Sequence, residues 1–217
     1  MTGCSAWRSW RGVERNGFRV ALAGTGVSKS VKPLTEIIRE NVVFQQGDIS
    51  CGSAAVATIM RHHFGDNVSE RDVIDWIIGA SDADRLEKII RRGGLSLLDL
   101  KKYAVSRGYD AKGFRMEIDD LLGLDGPAIV PLVVAGSDHF VVVRGHSRER
   151  DRIHIADPSF GNRTMRLGNF VTAWKGNIVF IISNGHLPER PSLSKEKEDE
   201  LYVDEHFVVR SVKGGIL

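Results

Sequence analysis

The spacing of hydrophobic positions changes midway along the chain. From Ser50 onward, Val56, Ile59, Met60 and His63 recur at helical intervals, which stacks them on one face. Ser50 stands where a cap belongs and Gly65 where the helix would end. Ser69 and Asp72 have capping-box spacing ahead of Val73, Ile74, Ile77 and Ile78. Ala83 to Arg92 reads as a third helix, halted by Gly93-Gly94. Ser96 and Asp99 open a fourth, through Leu97, Leu98, Leu100, Tyr103 and Ala104, ending at Gly108.

Beyond Gly108 the apolar residues come in short β-branched runs. Residues 109–116, 128–134, 140–144, 152–156 and 177–183 are bounded by Gly, Pro and Asn, as strands are. A helical turn at 118–122 and a helix at 167–174 interrupt them. Residues 18–23 and 202–212 each read as a further short strand, and 1–17 as irregular. Residues 30–40 read as a connector, because Pro33 opposes a helix through its start. Helices first and strands afterwards predict an α+β fold, an N-terminal helical layer packed on a C-terminal antiparallel sheet. The expected organisation is an N-terminal extension over 1–40, one domain over 41–183 and a C-terminal extension over 184–217.

A length of 217 residues suits one domain with tails, and a 42% hydrophobic composition supports a sizeable core. The formal charge of +2 is spread along the chain, which gives no sign of a nucleic-acid partner. The mixed-sign run from Lys195 to Glu200 reads as a solvated face or linker. Two cysteines, Cys4 and Cys51, are too few for a disulfide framework. No stretch reaches the roughly 18 apolar residues of a membrane-spanning helix. The block from Val20 to Ala23 is shorter than a secretory core of about 7–15 residues. A cytoplasmic location is therefore expected, with a periplasmic or secreted one as the alternative should the true start lie elsewhere.

No cofactor or metal is expected. Neither Cys-x-x-Cys nor His-Glu-x-x-His occurs, and His62 and His63, adjacent on a helix, point to different faces. Gly24 to Ser30 lacks the Gly-Lys pair of a phosphate loop. Trp76 and Trp174 read as packing residues. Gly214-Gly215 reads as coincidence in a chain with 23 glycines.

The candidate chemistry centres on Cys51. Polar residues from Gln45 to Ser50 give way there to the small residues Gly52, Ser53, Ala54 and Ala55. A thiol in the first turn of a helix feels the positive end of the backbone dipole, which favours the nucleophilic thiolate. His139, at the lip of an apolar strand, is the candidate proton shuttle, and Asp157, at the end of the next strand, the candidate orienter. Antiparallel neighbours place the start of one strand beside the end of the next, so the two side chains should meet. Asp138 should face the other way. Gln45, six residues before Cys51, offers a neutral amide donor for an oxyanion, with Gln46 as its rival.

Gln45, Cys51-Gly52-Ser53-Ala54-Ala55, His139-Phe140-Val141-Val142-Val143 and Asp157-Pro158 together resemble the double-glycine leader peptidases. These are papain-like cysteine peptidases found as N-terminal domains of bacteriocin-exporting ABC transporters and as stand-alone bacterial proteins. The stretch from Asp157 to Met165 is similar to the stand-alone branch. The resemblance implies a papain-like fold, with Cys51 as nucleophile, His139 as base and acid, Asp157 as orienter and Gln45 as oxyanion donor. It implies hydrolysis of a peptide or protein substrate through a thioester, after Gly-Gly in a leader peptide. Two departures stand out: Ser50 occupies a position where many transporter-linked members have Asp, and no membrane span or nucleotide-binding domain occurs. A separate exporter is the partner this implies. The alternatives are a peptide-binding module that has lost turnover, and an acyltransferase or amidase with the same thiol chemistry.

Overall fold

The computed structural model describes residues 18–21, 28–147, 149, 151–185 and 203–204. Residues 1–17 with Cys4, the stretch 24–27, the charged run at 195–200 and Gly214-Gly215 lie outside the described residues, as does all of 202–212 except Val203–Asp204.

Strands β1 (Phe18–Ala21) and β2 (Ser28–Val31) pair as a separate antiparallel ribbon. Helix α1 (Leu34–Arg39) follows, inside the segment expected to be a connector. Pro33 does oppose a helix running through it, but it is tolerated just ahead of the first turn, where its missing N–H is not needed. Its carbonyl accepts from the N–H groups of Glu36 and Ile37.

The four expected helices form as α2 (Cys51–His62), α3 (Glu70–Gly79), α4 (Ala83–Arg92) and α5 (Leu97–Ser106). Both capping boxes are present: Ser69 with Asp72, and Ser96 with Asp99. Ser50 departs from expectation. It holds the cap position of α2, but its hydroxyl makes no cap bond. It turns back to Gly47 instead, donating to the carbonyl at 2.8 Å and accepting from the N–H at 3.2 Å.

The remaining elements are β3 (Asp110–Arg115), α6 (Ile118–Leu122), β4 (Ala128–Val134), β5 (Ser137–Ser147), β6 (Arg152–Asp157), β7 (Gly161–Arg166), α7 (Leu167–Ala173), β8 (Ile178–Ser183) and β9 (Val203–Asp204). Among the described residues the main sheet runs in the order β3-β8-β4-β5-β6-β7-β9, antiparallel except for the β7–β9 pair. The architecture is α+β. Strand β7 was not expected: Gly-Asn-Arg-Thr-Met-Arg shows no apolar alternation, because its buried side chains include Asn162 and Arg163.

Helices cover the sheet on both faces, not only on one. Val56, Ile59, Met60, Ile77, Leu100 and Tyr103 pack with Ile129, Val142 and Phe180. On the opposite face Leu121, Phe170 and Trp174 pack with Val130, Val141, Val143 and Ile155. Adjacent residues of β5 thus enter different cores, as the pleat requires. The uninterrupted burial of Ala128 to Leu132 reports the same two-sided cover.

Candidate active site

Helix α2 delivers Cys51 to the rim of β5. Gly52 makes the approach close: a Cβ there would sit 3.1 Å from Leu100 Cδ1 and 3.3 Å from Phe140 Cδ2. Pairing between β5 and β6 starts only at Val142 and Ala156. The upstream end of β5 keeps that edge unpaired with β6, and the Phe140 N–H there helps to lower the Cys51 thiol.

The imidazole bridges sulfur and carboxylate. His139 Nε2 lies 2.8 Å from Asp157 Oδ1, which leaves Nδ1 as the ring nitrogen for Cys51. His139 is the third residue of β5, two positions further in than expected. Asp157 closes β6 and is fully buried. Asp138 faces elsewhere and pairs with Lys175 at 2.7 Å.

Electrostatics favour a charged pair. Burial by itself would raise the Cys51 thiol. The hydrogen bond from His139, the N–H groups of Phe140 and Gly52 and the imidazolium charge outweigh it, and the thiol falls below its ordinary value. Burial likewise opposes the imidazolium, yet bonds and charge from Asp157 and Cys51 push His139 up to about 9. Asp157 is held below the usual carboxylate range. Burial opposes this too, but His139, the Arg163 charge and the Ser159 N–H prevail.

Gln45 and Gln46 separate. Gln46 is exposed, and its backbone N–H donates to the carboxylate of Glu70 at 3.0 Å. Gln45 turns toward the Asp157 loop. Its N–H donates to Pro158 O at 2.9 Å, its Nε2 to Gly47 O at 2.9 Å, and its Oε1 accepts from Ser159 Oγ at 2.9 Å. Gly47 O also accepts from Ser50, so the amide sits at the turn leading into Cys51. Cys51, His139, Asp157 and Gln45 therefore converge at one end of α2.

Arg163, Asn162 and Ser159 entered the sequence analysis only as part of the Asp157 to Met165 stretch, with no role of their own. Arg163, on β7, holds Asp157 Oδ2 at 2.9 Å through Nε. Asn162 Nδ2 binds Ile37 O at 2.9 Å and Glu40 O at 2.7 Å, at the end of α1, while its Oδ1 accepts from Arg144 Nη1. Gly161, with φ of +79°, lets α1 lie this close, since a Cβ would run into Ile38 O. The available signal was a polar strand beside a candidate catalytic acid.

His62 and His63 are remote from this site. They line a separate cavity of about 230 Å³ with Asn41, Thr58 and Arg144, near the last turn of α2. Burial lowers both imidazoles, with the charges of Arg61 and Arg144 adding to the effect at His62. No described helix is long and apolar enough to cross a membrane.

Known proteins are similar to this chain in sequence or in fold. A Pseudomonas fluorescens protein named a probable functional amyloid protease, FapD, is 33% identical over 184 residues, 82% of this chain and 79% of its own. A double glycine motif protease from an AMS/PCAT transporter, solved with its leader peptide, superposes with a TM-score of 0.51 at 26% identity, covering 65% of this chain and 89% of its own. The peptidase domain of Streptococcus ComA, a bifunctional ABC transporter of a quorum-sensing pathway, shares the fold with a TM-score of 0.54 at 20% identity, over 65% of this chain and 96% of its own. The Peptidase C39 family matches residues 39–185, the stretch that holds both the helical layer and the converging side chains, and the chain belongs to that family.

Proposed function

We propose that this protein is a cysteine-type endopeptidase whose catalytic unit spans residues 41–183. The observation that carries the proposal is the continuous line from the Cys51 sulfur through His139 to Asp157. The Cys51 thiolate attacks the scissile carbonyl carbon and its electrons move onto oxygen. That oxyanion is met by the Gln45 amide and by the Cys51 N–H, which as a first-turn donor has no intrahelical acceptor. Imidazolium Nδ1–H gives its proton to the leaving nitrogen as the C–N bond breaks. The thioester then loses its acyl group to water, with His139 as base, and thiolate returns.

The substrate class follows from likeness. A leader peptide cut after Gly-Gly, taken onward by a separate exporter, is the first substrate to try. A protein of a functional amyloid system is the second. Both should be incubated with the full chain and with Cys51→Ala, and products read by mass spectrometry. Wild type should cut at one bond, releasing free carboxylate and amine, while Cys51→Ala should cut at none. Cleavage by Cys51→Ala would refute the mechanism, and a transferred acyl group in place of a free carboxylate would make the protein an acyltransferase.

A further inference from the structure

We infer that Ser159 is a positioning residue that sets the Gln45 amide for oxyanion binding and ties it to Asp157. The inference rests on the cysteine-peptidase reading above, in which Gln45 is the oxyanion donor.

A glutamine amide presents oxygen on one side and NH₂ on the other, and only the NH₂ stabilises an oxyanion. Two contacts settle which way Gln45 points. Gly47 O can only accept, so the group 2.9 Å from it must be the NH₂. The oxygen is held from the other side by the Ser159 hydroxyl at 2.9 Å. One NH₂ hydrogen goes to Gly47, which leaves the second as the one available to an oxyanion. Without the hydroxyl, Gln45 keeps a single anchor on a side chain with three rotatable bonds, and the amide plane is free to swing.

Ser159 also reaches Asp157. Its backbone N–H donates to Asp157 Oδ1 at 2.9 Å, the oxygen that also meets His139. The bond from Gln45 N–H to Pro158 O adds a backbone tie between the same two loops. The hydroxyl and the backbone N–H therefore have separable tasks. Replacing Ser159 by Ala removes the hold on Gln45 and keeps the N–H on Asp157, so it should affect oxyanion chemistry and leave the thiolate alone.

Two reactions of Cys51 distinguish these effects. Iodoacetamide alkylates the thiolate without forming an oxyanion, whereas p-nitrophenyl acetate acylates it through one. Ser159→Ala should slow acylation roughly tenfold, what the loss of one neutral hydrogen bond supplies, at unchanged alkylation rate. Ser159→Thr, which keeps the hydroxyl, should restore acylation. Gln45→Ala should slow acylation about a hundredfold, and adding Ser159→Ala to it should do nothing further. Normal acylation by Gln45→Ala would refute Gln45 as the oxyanion donor, and with it the basis of the inference. If Gln45→Ala is slow, the inference fails on any of three results: normal acylation by Ser159→Ala, additive losses in the double variant, or equal losses of alkylation and acylation.

Discussion

Arg163 and Asp157 form an ion pair wholly inside the protein, behind the imidazole. Both Nε and Nη2 lie 2.9 Å from Oδ2, and the side chains are 6% and 0% exposed. The carboxylate is divided between two cations, His139 on one oxygen and Arg163 on the other. Removing one partner of a buried pair strands the other charge, which costs about 3–5 kcal/mol. Arg163→Met should lose stability on that scale in a denaturant titration. Arg163→Lys should lose less, since charge is kept and the planar fork is not. A double variant, Asp157→Asn with Arg163→Gln, should recover part of the loss because no unpaired charge is left behind.

The lowered thiol and the raised imidazole give two different pH profiles. Alkylation of Cys51 needs only thiolate. It should rise as pH climbs through the depressed thiol value and stay high above 9. Hydrolysis also needs the imidazolium proton for the leaving nitrogen, and His139 holds it up to about 9. Hydrolysis should therefore rise on the acid side with alkylation and fall again near pH 9, as a bell whose limbs belong to the coupled pair. A hydrolysis profile that stays flat through pH 9 would contradict the raised imidazole.

Glycine at 161 is required on two independent grounds. Its φ of +79° carries a penalty of about 1–2 kcal/mol for any residue with a Cβ. A Cβ would also meet Ile38 O and Phe44, so α1 would have to move off β7. Gly161→Ala should cost about 2 kcal/mol or more in denaturant unfolding. Gly161 pairs with Asp157 in the sheet, so hydrolysis by the folded variant should fall as well.

What the sequence revealed and what it hid divide along one physical line. The capping boxes at Ser69 and Ser96, the glycine stop at Gly93 and the apolar runs of β4 and β8 are local patterns, legible within a few residues. The meeting of His139 with Asp157 was legible because strand order and direction dictate it once the strands are assigned. Ser159 and Gln45 are 114 residues apart, and no local pattern announces a hydroxyl that holds a distant amide. Strand β7 was hidden by its buried polar side chains, whereas α6 and α7 were legible at 118–122 and 167–174 and only their packing on the far face of the sheet was not. Ser50 looked like a cap, since nothing local shows that Gly47 competes for its hydroxyl.

Asp157→Asn isolates what the carboxylate charge does. Asparagine keeps one oxygen, which can still accept from His139 Nε2 and the Ser159 N–H, while its NH₂ is turned on Arg163 and leaves that buried charge unpaired, so the ring keeps its hydrogen bond as charge and some stability are lost. Asp157 supplies both a hydrogen bond and charge to the imidazolium. Removing an opposite charge at this distance should bring the imidazole down by about one to two pH units. The alkaline limb of hydrolysis should move from near pH 9 toward neutrality. With the imidazolium less stable the thiolate loses its partner, so the acid limb should move up and the active window narrow from both sides. Asp157→Glu, charge retained, should keep the alkaline limb near that of the wild type. If hydrolysis by Asp157→Asn declined without movement of either limb, Asp157 would be acting through ring orientation alone.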